Sequence, residues 1–167
     1  VGAGGARRQN VGSMRNQGLD LAVRLDLLGP QGIGKAENTL RLSTNLQLLD
    51  ATFTSGAAEG FTPQYAPGHM LRSSLTYLGT NGARAALIFT SVGDQQGADN
   101  NVADFFLPAY EVLDASVEWP LGGGFTIGAG INNLLDATYA PRVRPGGGGG
   151  FDPGLPRNLF FSVGWRG

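Results

Sequence analysis

Two arginines near the end of the chain are the side chains best suited to binding a ligand. Arg142 and Arg144 lie in a stretch rich in proline and glycine, as expected of a loop. Guanidinium groups bind carboxylates and phosphates through paired, charge-assisted hydrogen bonds. The sequence therefore makes both residues candidates for contact with an anionic group. The alternative is that they are two solvated loop charges.

A second stretch is rich in side-chain oxygen, which is the ligand atom that Ca²⁺ prefers. The residues concerned are Asp94, Asp99, Asn100, Asn101 and Asp104. Their spacing matches no EF-hand loop, and the stretch contains no glutamate to act as a bidentate ligand. We therefore predict no metal site here.

The remaining reactive side chains do not form a catalytic pattern. His69 is the only histidine, there is no cysteine, and no nucleophile motif accompanies His69. The glycine run at 146–150 is followed by Phe151 instead of Lys-Ser/Thr, so it is not a phosphate-binding loop. The net charge of -1 gives no reason to expect a nucleic-acid partner. We predict a protein that is not an enzyme and that has no cofactor.

The elements that position these residues are β-strands. In the stretch 109–139, Leu113, Ala115, Val117 and Trp119 alternate with polar residues, and a glycine turn then leads into a second alternating run. Such a period of two places apolar and polar side chains on opposite faces of a strand. The same pattern predicts seven strands, at about 16–28, 37–51, 69–78, 83–92, 109–120, 125–132 and 157–166.

The connections between these strands alternate between short and long. Short turns are predicted at 29–36, at Asn81-Gly82 and at 122–124, and long loops at 52–68, 93–108 and 140–156. In an antiparallel up-and-down meander this order puts the short turns at one end of the sheet and the long loops at the other. Either residues 1–12 contain an eighth strand, or the seven strands belong to a larger barrel, because an open sheet edge is not tolerated in lipid.

Three features favour a transmembrane barrel over a soluble, lipocalin-like one. The strands are about ten residues or longer, which suits a tilted bilayer crossing. The loop asymmetry matches short periplasmic turns and longer outer loops. Aromatic side chains near strand ends would form belts at the lipid interfaces; they are Tyr77, Trp119, Phe125, Tyr139 and Trp165. Charged residues of the other face would point into the lumen; they are Asp20, Arg24, Asp26, Arg41, Asp114 and Glu118.

Five sequence motifs, in order, resemble the C-terminal part of TonB-dependent outer-membrane receptors. Asn10-Val-Gly-Ser-Met-Arg-Asn-Gln-Gly18-Leu-Asp-Leu resembles the N-x-G-x-x-R-x-x-G-x-E-L start of a strand, and Tyr65-Ala-Pro-Gly-His69 resembles the Pro-x-His strand start. Leu107-Pro-Ala-Tyr-Glu-Val-Leu-Asp114 resembles the "lPaYtvlDl" strand. Ile131-Asn-Asn-Leu-Leu-Asp-Ala-Thr-Tyr139 resembles the "NLFD-x-x-Y" corner, and Pro156-Arg157-Asn158 the start of the last strand.

The resemblance implies a 22-stranded barrel filled by an N-terminal plug domain. Residues 1–167 would form the C-terminal segment, about the last third of the barrel, with the plug and the TonB-contacting box outside this sequence. The implied function is energy-coupled uptake of a ferric siderophore or another scarce ligand in the outer membrane of a Gram-negative bacterium. The implied partners are outer-membrane lipid, the plug, the remaining strands, TonB and the ligand.

Within that resemblance, the corner residues have a structural role. We expect Asn132, Asn133 and Asp136 to hydrogen-bond the backbone where the strand ends, in the motif completed by Leu134 and Tyr139. Arg142 and Arg144 would contact an anionic siderophore or a lipopolysaccharide phosphate. The alternative function is a small, complete eight-stranded barrel that acts as an anchor or adhesin.

Overall fold

A seven-stranded antiparallel sheet dominates the computed structural model, which describes residues 12–28, 38–144 and 150–167. Each strand pairs with the next long strand along the chain, so the sheet is an up-and-down meander. Its strands are β1 (Met14–Asp26), β2 (Thr39–Phe53), β3 (His69–Leu78), β4 (Arg84–Val92), β7 (Tyr110–Gly122), β8 (Phe125–Asn132) and β11 (Asn158–Trp165). The predicted all-β meander of long amphipathic strands is confirmed.

The long connections contain the remaining short elements. These are β5 (Gln95–Gln96), the 3-10 turn Ala103–Phe105, β6 (Phe106–Leu107), β9 (Arg142–Val143) and β10 (Phe151–Asp152). The strand β5 pairs with β6, and β9 pairs with β10. In the described ranges, no helix is long and apolar enough to cross a membrane.

Short and long connections lie at opposite ends of the sheet, as predicted. The register pairs Leu78 with Arg84 and Gly122 with Phe125 at the short-turn end. At the other end, the long connections 54–68, 93–109 and 133–157 leave β2, β4 and β8. The predicted turn at 29–36, any eighth strand in 1–11 and most of the glycine run at 146–150 fall outside the described residues.

The prediction of a two-residue turn at Asn81-Gly82 is wrong. Five residues, 79–83, separate the two strands, and the Gly79 N–H donates to the Ala83 carbonyl at 2.8 Å, which closes a loop of three residues, 80–82. Of the predicted pair, only Gly82 has a positive φ, at +85°. Asn81 instead accepts the Ala83 N–H with its side-chain oxygen at 3.0 Å. The amide side chain thus satisfies a donor that a two-residue turn would have paired with backbone.

Buried side chains are concentrated at the long-loop end of the sheet. The buried apolar side chains of the described residues are Ala51, Ala83, Val92, Leu107, Val112 and Val143, of which only Ala83 lies at the short-turn end. Buried polar residues Ser91, Gln95 and Asn133 also lie at the long-loop end. The sheet itself therefore has no conventional core, because both of its faces are open.

Candidate functional site

One face of the sheet is predominantly apolar, and the hydroxyls of Thr44 and Ser73, which lie on this face, hydrogen-bond to each other at 2.9 Å. The cross-strand register aligns a single row of seven apolar residues, one from each strand; the row is Leu25, Leu42, Leu75, Leu87, Ala115, Ile131 and Leu159. Many side chains of this face are highly exposed, with Phe161 at 79% and Val163 at 77%. Exposed apolar surface of this extent marks contact with a partner or with lipid.

This apolar band has a defined height. On β7 it extends from Leu113 to Trp119, which is about 20 Å along an extended strand. Beyond Leu113, toward the long-loop end, the same face becomes polar at Glu111. It also becomes polar there at Ser91 on β4 and at His69 on β3. A lipid-facing band of transmembrane barrels is ~25 Å tall. On a strand tilted by about 35–45°, as in such barrels, this stretch of β7 would span about 15 Å of that height.

Four of the predicted interface aromatics lie at the short-turn end of this apolar face. Tyr77, Trp119, Phe125 and Trp165 are at or near the ends of their strands, and the rings of Phe125 and Trp165 are 6.5 Å apart. The arrangement is that of a belt along one border of the band. Tyr139 lies at the opposite end, where it stacks on Tyr110 with 4.5 Å between ring centroids.

The opposite face of the sheet carries the charged residues predicted to point into a lumen. Arg41 Nε donates to Asp26 Oδ1 at 2.8 Å between β1 and β2. Asp114 accepts the backbone N–H of Asn133 at 2.8 Å. Asp20, Arg24 and Glu118 are exposed on the same face, in register positions that alternate with the apolar row.

The corner after β8 is organised by one buried asparagine. Asn133 is 1% exposed and has a left-handed backbone, with φ at +52°. Its Oδ1 accepts the Ala137 N–H at 2.9 Å, and its Nδ2 donates to the carbonyls of Ala137 and Leu155 at 2.9 and 3.0 Å. Asparagine tolerates this conformation better than most residues and can mimic backbone in a turn. Asn133 therefore connects its own loop to the segment that leads into β11.

The other residues of the corner extend these connections. The Leu134 N–H donates to the Leu113 carbonyl of β7 at 2.7 Å. Asp136, also left-handed with φ at +56°, accepts the Arg157 guanidinium at 3.1 Å and its backbone N–H at 3.3 Å. The prediction that the Asn132 side chain bonds backbone is wrong, because it donates instead to the side chain of Asn158 at 2.9 Å. The corner thus fixes β7, β8 and β11 relative to one another.

Side chains connect the first two long connections, 54–68 and 93–109. Asn101 accepts the Thr62 N–H at 2.9 Å and donates to the Thr62 carbonyl at 2.7 Å. Asp99 accepts the Gln64 N–H at 2.9 Å. The oxygen-rich stretch at 94–104 is thereby used for loop packing. No group of three or more His, Cys, Asp or Glu residues suited to a metal ion occurs in the described part of the chain.

The predicted ligand-binding arginines lie on the short ribbon of β9 and β10. Arg144 donates through Nε to Asp152 Oδ1 at 3.0 Å, and its Nη2 contacts the same oxygen. This hydrogen bond and the charge of Asp152 raise the pKa of Arg144 above its ordinary value. Arg142 is exposed and forms no side-chain hydrogen bond with the described residues. Of the two guanidinium groups, only that of Arg144 forms an ion pair with a carboxylate of the described residues.

The third long connection contacts the other two at Tyr65 and Gly97. The Tyr65 hydroxyl donates to the Val143 carbonyl at 2.5 Å, and Val143 is only 2% exposed. In the sequence, Tyr65 stands out only as the first residue of a strand-start motif. No local pattern could have indicated this contact, because 78 residues separate Tyr65 from Val143.

Comparisons with known proteins give one consistent family. A family model described as TonB-dependent receptor-like, beta-barrel, matches residues 1–134. No curated protein sequence matches the chain.

Solved structures with the same fold are described as an uptake receptor, a transporter and a siderophore receptor. The ferric yersiniabactin uptake receptor FyuA from Yersinia pestis matches 92% of this chain with a TM-score of 0.76 and 19% identity. The ferric citrate transporter FecA matches 90% with 0.73 and 20%, and the siderophore receptor PiuA from Acinetobacter baumannii matches 92% with 0.73 and 15%. The matched region is 24%, 24% and 22% of those three chains, so this chain spans about a quarter of their length.

Proposed function

This chain belongs to the TonB-dependent receptor β-barrel family, and from that premise we propose that it is the C-terminal barrel segment of an energy-coupled uptake receptor. The receptor acts in the outer membrane of a Gram-negative bacterium, and its ligand is a ferric siderophore or a similarly scarce compound. The segment has no catalytic activity of its own. Its partners are outer-membrane lipid, the remaining barrel strands, a plug domain inside the lumen and TonB, which contacts parts outside this segment.

The observation that carries this proposal is the two-sided sheet. Its apolar row crosses all seven strands without interruption, while the charged residues lie on the other face. Such a sheet suits the wall of a transmembrane barrel, where lipid covers the apolar face and an aqueous or protein-filled lumen covers the other. The long connections gather at one end, where they support a binding surface outside the membrane.

A labelling experiment tests the placement in the membrane. The 167 residues contain no cysteine, so single cysteines can be introduced without competition from this segment. In the full-length receptor on intact cells, Glu59→Cys in a long connection should react with a large, membrane-impermeant maleimide. Thr80→Cys in a short turn should react only after the outer membrane is permeabilised. Equal labelling of both before permeabilisation would contradict the proposed orientation.

Arg142 is the residue that we assign to ligand contact, whereas Arg144 stabilises the ribbon through Asp152. A charge-assisted hydrogen bond contributes about 1.5–3 kcal/mol, so Arg142→Gln should weaken binding of an anionic ferric chelate roughly 10- to 100-fold. Binding of ferric citrate, ferric enterobactin and the uncharged hydroxamate ferrichrome to full-length receptor measures this. The control is Arg84→Gln, which makes the same change at the short-turn end.

The three chelates separate the possible outcomes. Loss of affinity for an anionic chelate only in Arg142→Gln supports the assignment. An equal loss in both variants indicates a general effect of charge. Binding of none of the three by the unmodified receptor, together with no proton-motive-force-dependent iron uptake, would exclude the ferric-siderophore proposal.

A further inference from the structure

Val143 is the residue through which the ribbon of β9 and β10 is anchored. It is 2% exposed, although the arginines on either side of it are exposed. Its carbonyl accepts the Tyr65 hydroxyl at 2.5 Å, and its N–H lies 3.4 Å from the same oxygen as donor. Its side chain packs on Gly97, where a Cβ atom would overlap Val143 Cγ1 and lie 2.7 Å from the Phe105 carbonyl. The ribbon is therefore fitted to the second connection and hydrogen-bonded to the first.

Tyr65 is itself fixed by the second connection. Its N–H donates to the Gln96 carbonyl at 2.8 Å, next to an isolated bridge between Gln64 and Gln96. Its φ is +54°, a left-handed conformation that is uncommon for a bulky aromatic residue. Such strained residues persist where the surrounding structure over-determines them, and they cluster at functional sites. The backbone of Tyr65 thus belongs to the loop framework, and its hydroxyl extends to the ribbon.

We propose that Tyr65 is a positioning residue for ligand capture, which sets the place of Arg142 by holding Val143. This inference rests on the proposed role of Arg142. Successive side chains of a strand point to opposite sides, so burying Val143 turns Arg142 and Arg144 outward together. Asp152 engages Arg144, so the guanidinium presented to a ligand is that of Arg142.

The hydrogen bonds at the Tyr65 hydroxyl are the only ones between the ribbon and the other two long connections within the described residues. Their loss leaves Arg142 chemically intact but less fixed in place. A binding group that must be ordered when the ligand arrives costs affinity, whereas a preorganised group does not. Tyr65 therefore affects ligand affinity without touching the ligand.

Trypsin reports the position of the ribbon directly. It cleaves after Arg142 only when the Arg142–Val143 bond leaves the packed ribbon, because Val143 is buried there. Cleavage after Arg144 is suppressed by Pro145, so the two sites do not interfere. The rate is measured by mass spectrometry on full-length receptor in outer-membrane vesicles. Tyr65→Phe should raise cleavage after Arg142 roughly three- to tenfold, the size expected from a lost hydrogen bond.

Two further variants complete the design. Gly97→Ala releases Val143 from the other side, so it should raise cleavage while leaving Tyr65 unchanged. Tyr77→Phe removes a tyrosine hydroxyl at the short-turn end of β3 and should leave cleavage unchanged. Folding of each variant is checked by its heat-modifiable migration in gels.

Binding of ferric citrate, ferric enterobactin and ferrichrome is measured on the same samples. Faster cleavage together with weaker binding of the anionic chelates in Tyr65→Phe and Gly97→Ala supports the proposal. Unchanged cleavage in Tyr65→Phe overturns it. Faster cleavage with unchanged binding also overturns it, although the proposed function stands if Arg142→Gln weakens binding. If the unmodified receptor binds no anionic chelate, the roles of Arg142 and Tyr65 both fall, whatever the cleavage rates are, whereas binding of ferrichrome would leave the ferric-siderophore proposal standing.

Discussion

The strand wall and the cluster of long connections are stabilised in opposite ways. In the wall, backbone ladders join the strands, and large side chains such as Phe161 remain exposed. In the connections, side chains are buried or bonded to backbone, as at Leu107, Asn133 and Val143. In the proposed receptor, the wall therefore depends on the lipid and the lumen that would cover its two faces. The connections depend on one another.

This difference predicts which kind of substitution each region tolerates. The wall should accept changes of shape on either face but not a charge on the apolar face. The connections should accept a charge wherever a side chain is exposed but should not accept the loss of a bonded polar group. Three tests probe this contrast in order of decreasing effect.

The largest effect is expected from a charge in the apolar band of the wall. Val117→Arg places a guanidinium near the middle of the band on β7, which should destabilise the barrel by about 2–4 kcal/mol. The neighbouring Ser116→Arg projects from the opposite face and should cost far less. Urea midpoints of the folded receptor in lipid vesicles measure both. Similar midpoints for the two variants would show that lipid does not cover the predicted face.

A smaller but still large effect is expected at the corner. Asn133→Ala leaves the Ala137 N–H and the Leu155 carbonyl without their partners and keeps an unfavourable left-handed backbone, at a cost of about 2–3 kcal/mol. Asn133→Gly relieves the backbone strain only, so it should recover part of this loss. Asn132→Ala, which loses one side-chain pair with Asn158, is the control.

The same urea midpoints apply to the corner variants. If Asn132→Ala and Asn133→Ala destabilise the receptor equally, burial of the asparagine is not what makes the corner sensitive.

The smallest effect is expected at the exposed pair of Arg144 and Asp152. Asp152 raises the pKa of Arg144 in the folded protein. A group with a raised folded-state pKa stabilises the fold at any pH below its unfolded-state pKa, and this stability is lost only as the pH rises through the folded-state pKa. Both values lie far above neutrality, so Arg144 should cause no change in ribbon protection between about pH 6 and 9. Trypsin cleavage after Arg142, taken relative to cleavage of the unfolded receptor at the same pH because trypsin's own activity changes over this range, measures that protection. A marked rise in cleavage across this range would point to a different titrating group.

The sequence was sufficient for the wall because the signal there is local. A period of two places Leu113, Ala115 and Val117 on one face whatever the strand pairs with. The same alternation made the seven strands and the placement of the long connections predictable. The family was recognisable from local motifs such as Asn132-Asn133-Leu134-Leu135-Asp136. The turn at Asn81-Gly82 was mispredicted because the dipeptide is compatible with more than one loop length.

Only the tertiary structure decided how the long connections use their polar residues. Asp99 and Asn101 have the composition of a cation-binding loop, yet they bind backbone of the connection 54–68. Arg142 and Arg144 look equivalent in sequence, but Asp152 engages only one of them. Tyr65 reaches Val143 across 78 positions. Alternation along a strand is imposed by the backbone itself, whereas contacts between loops exist only after the strands have brought the loops together.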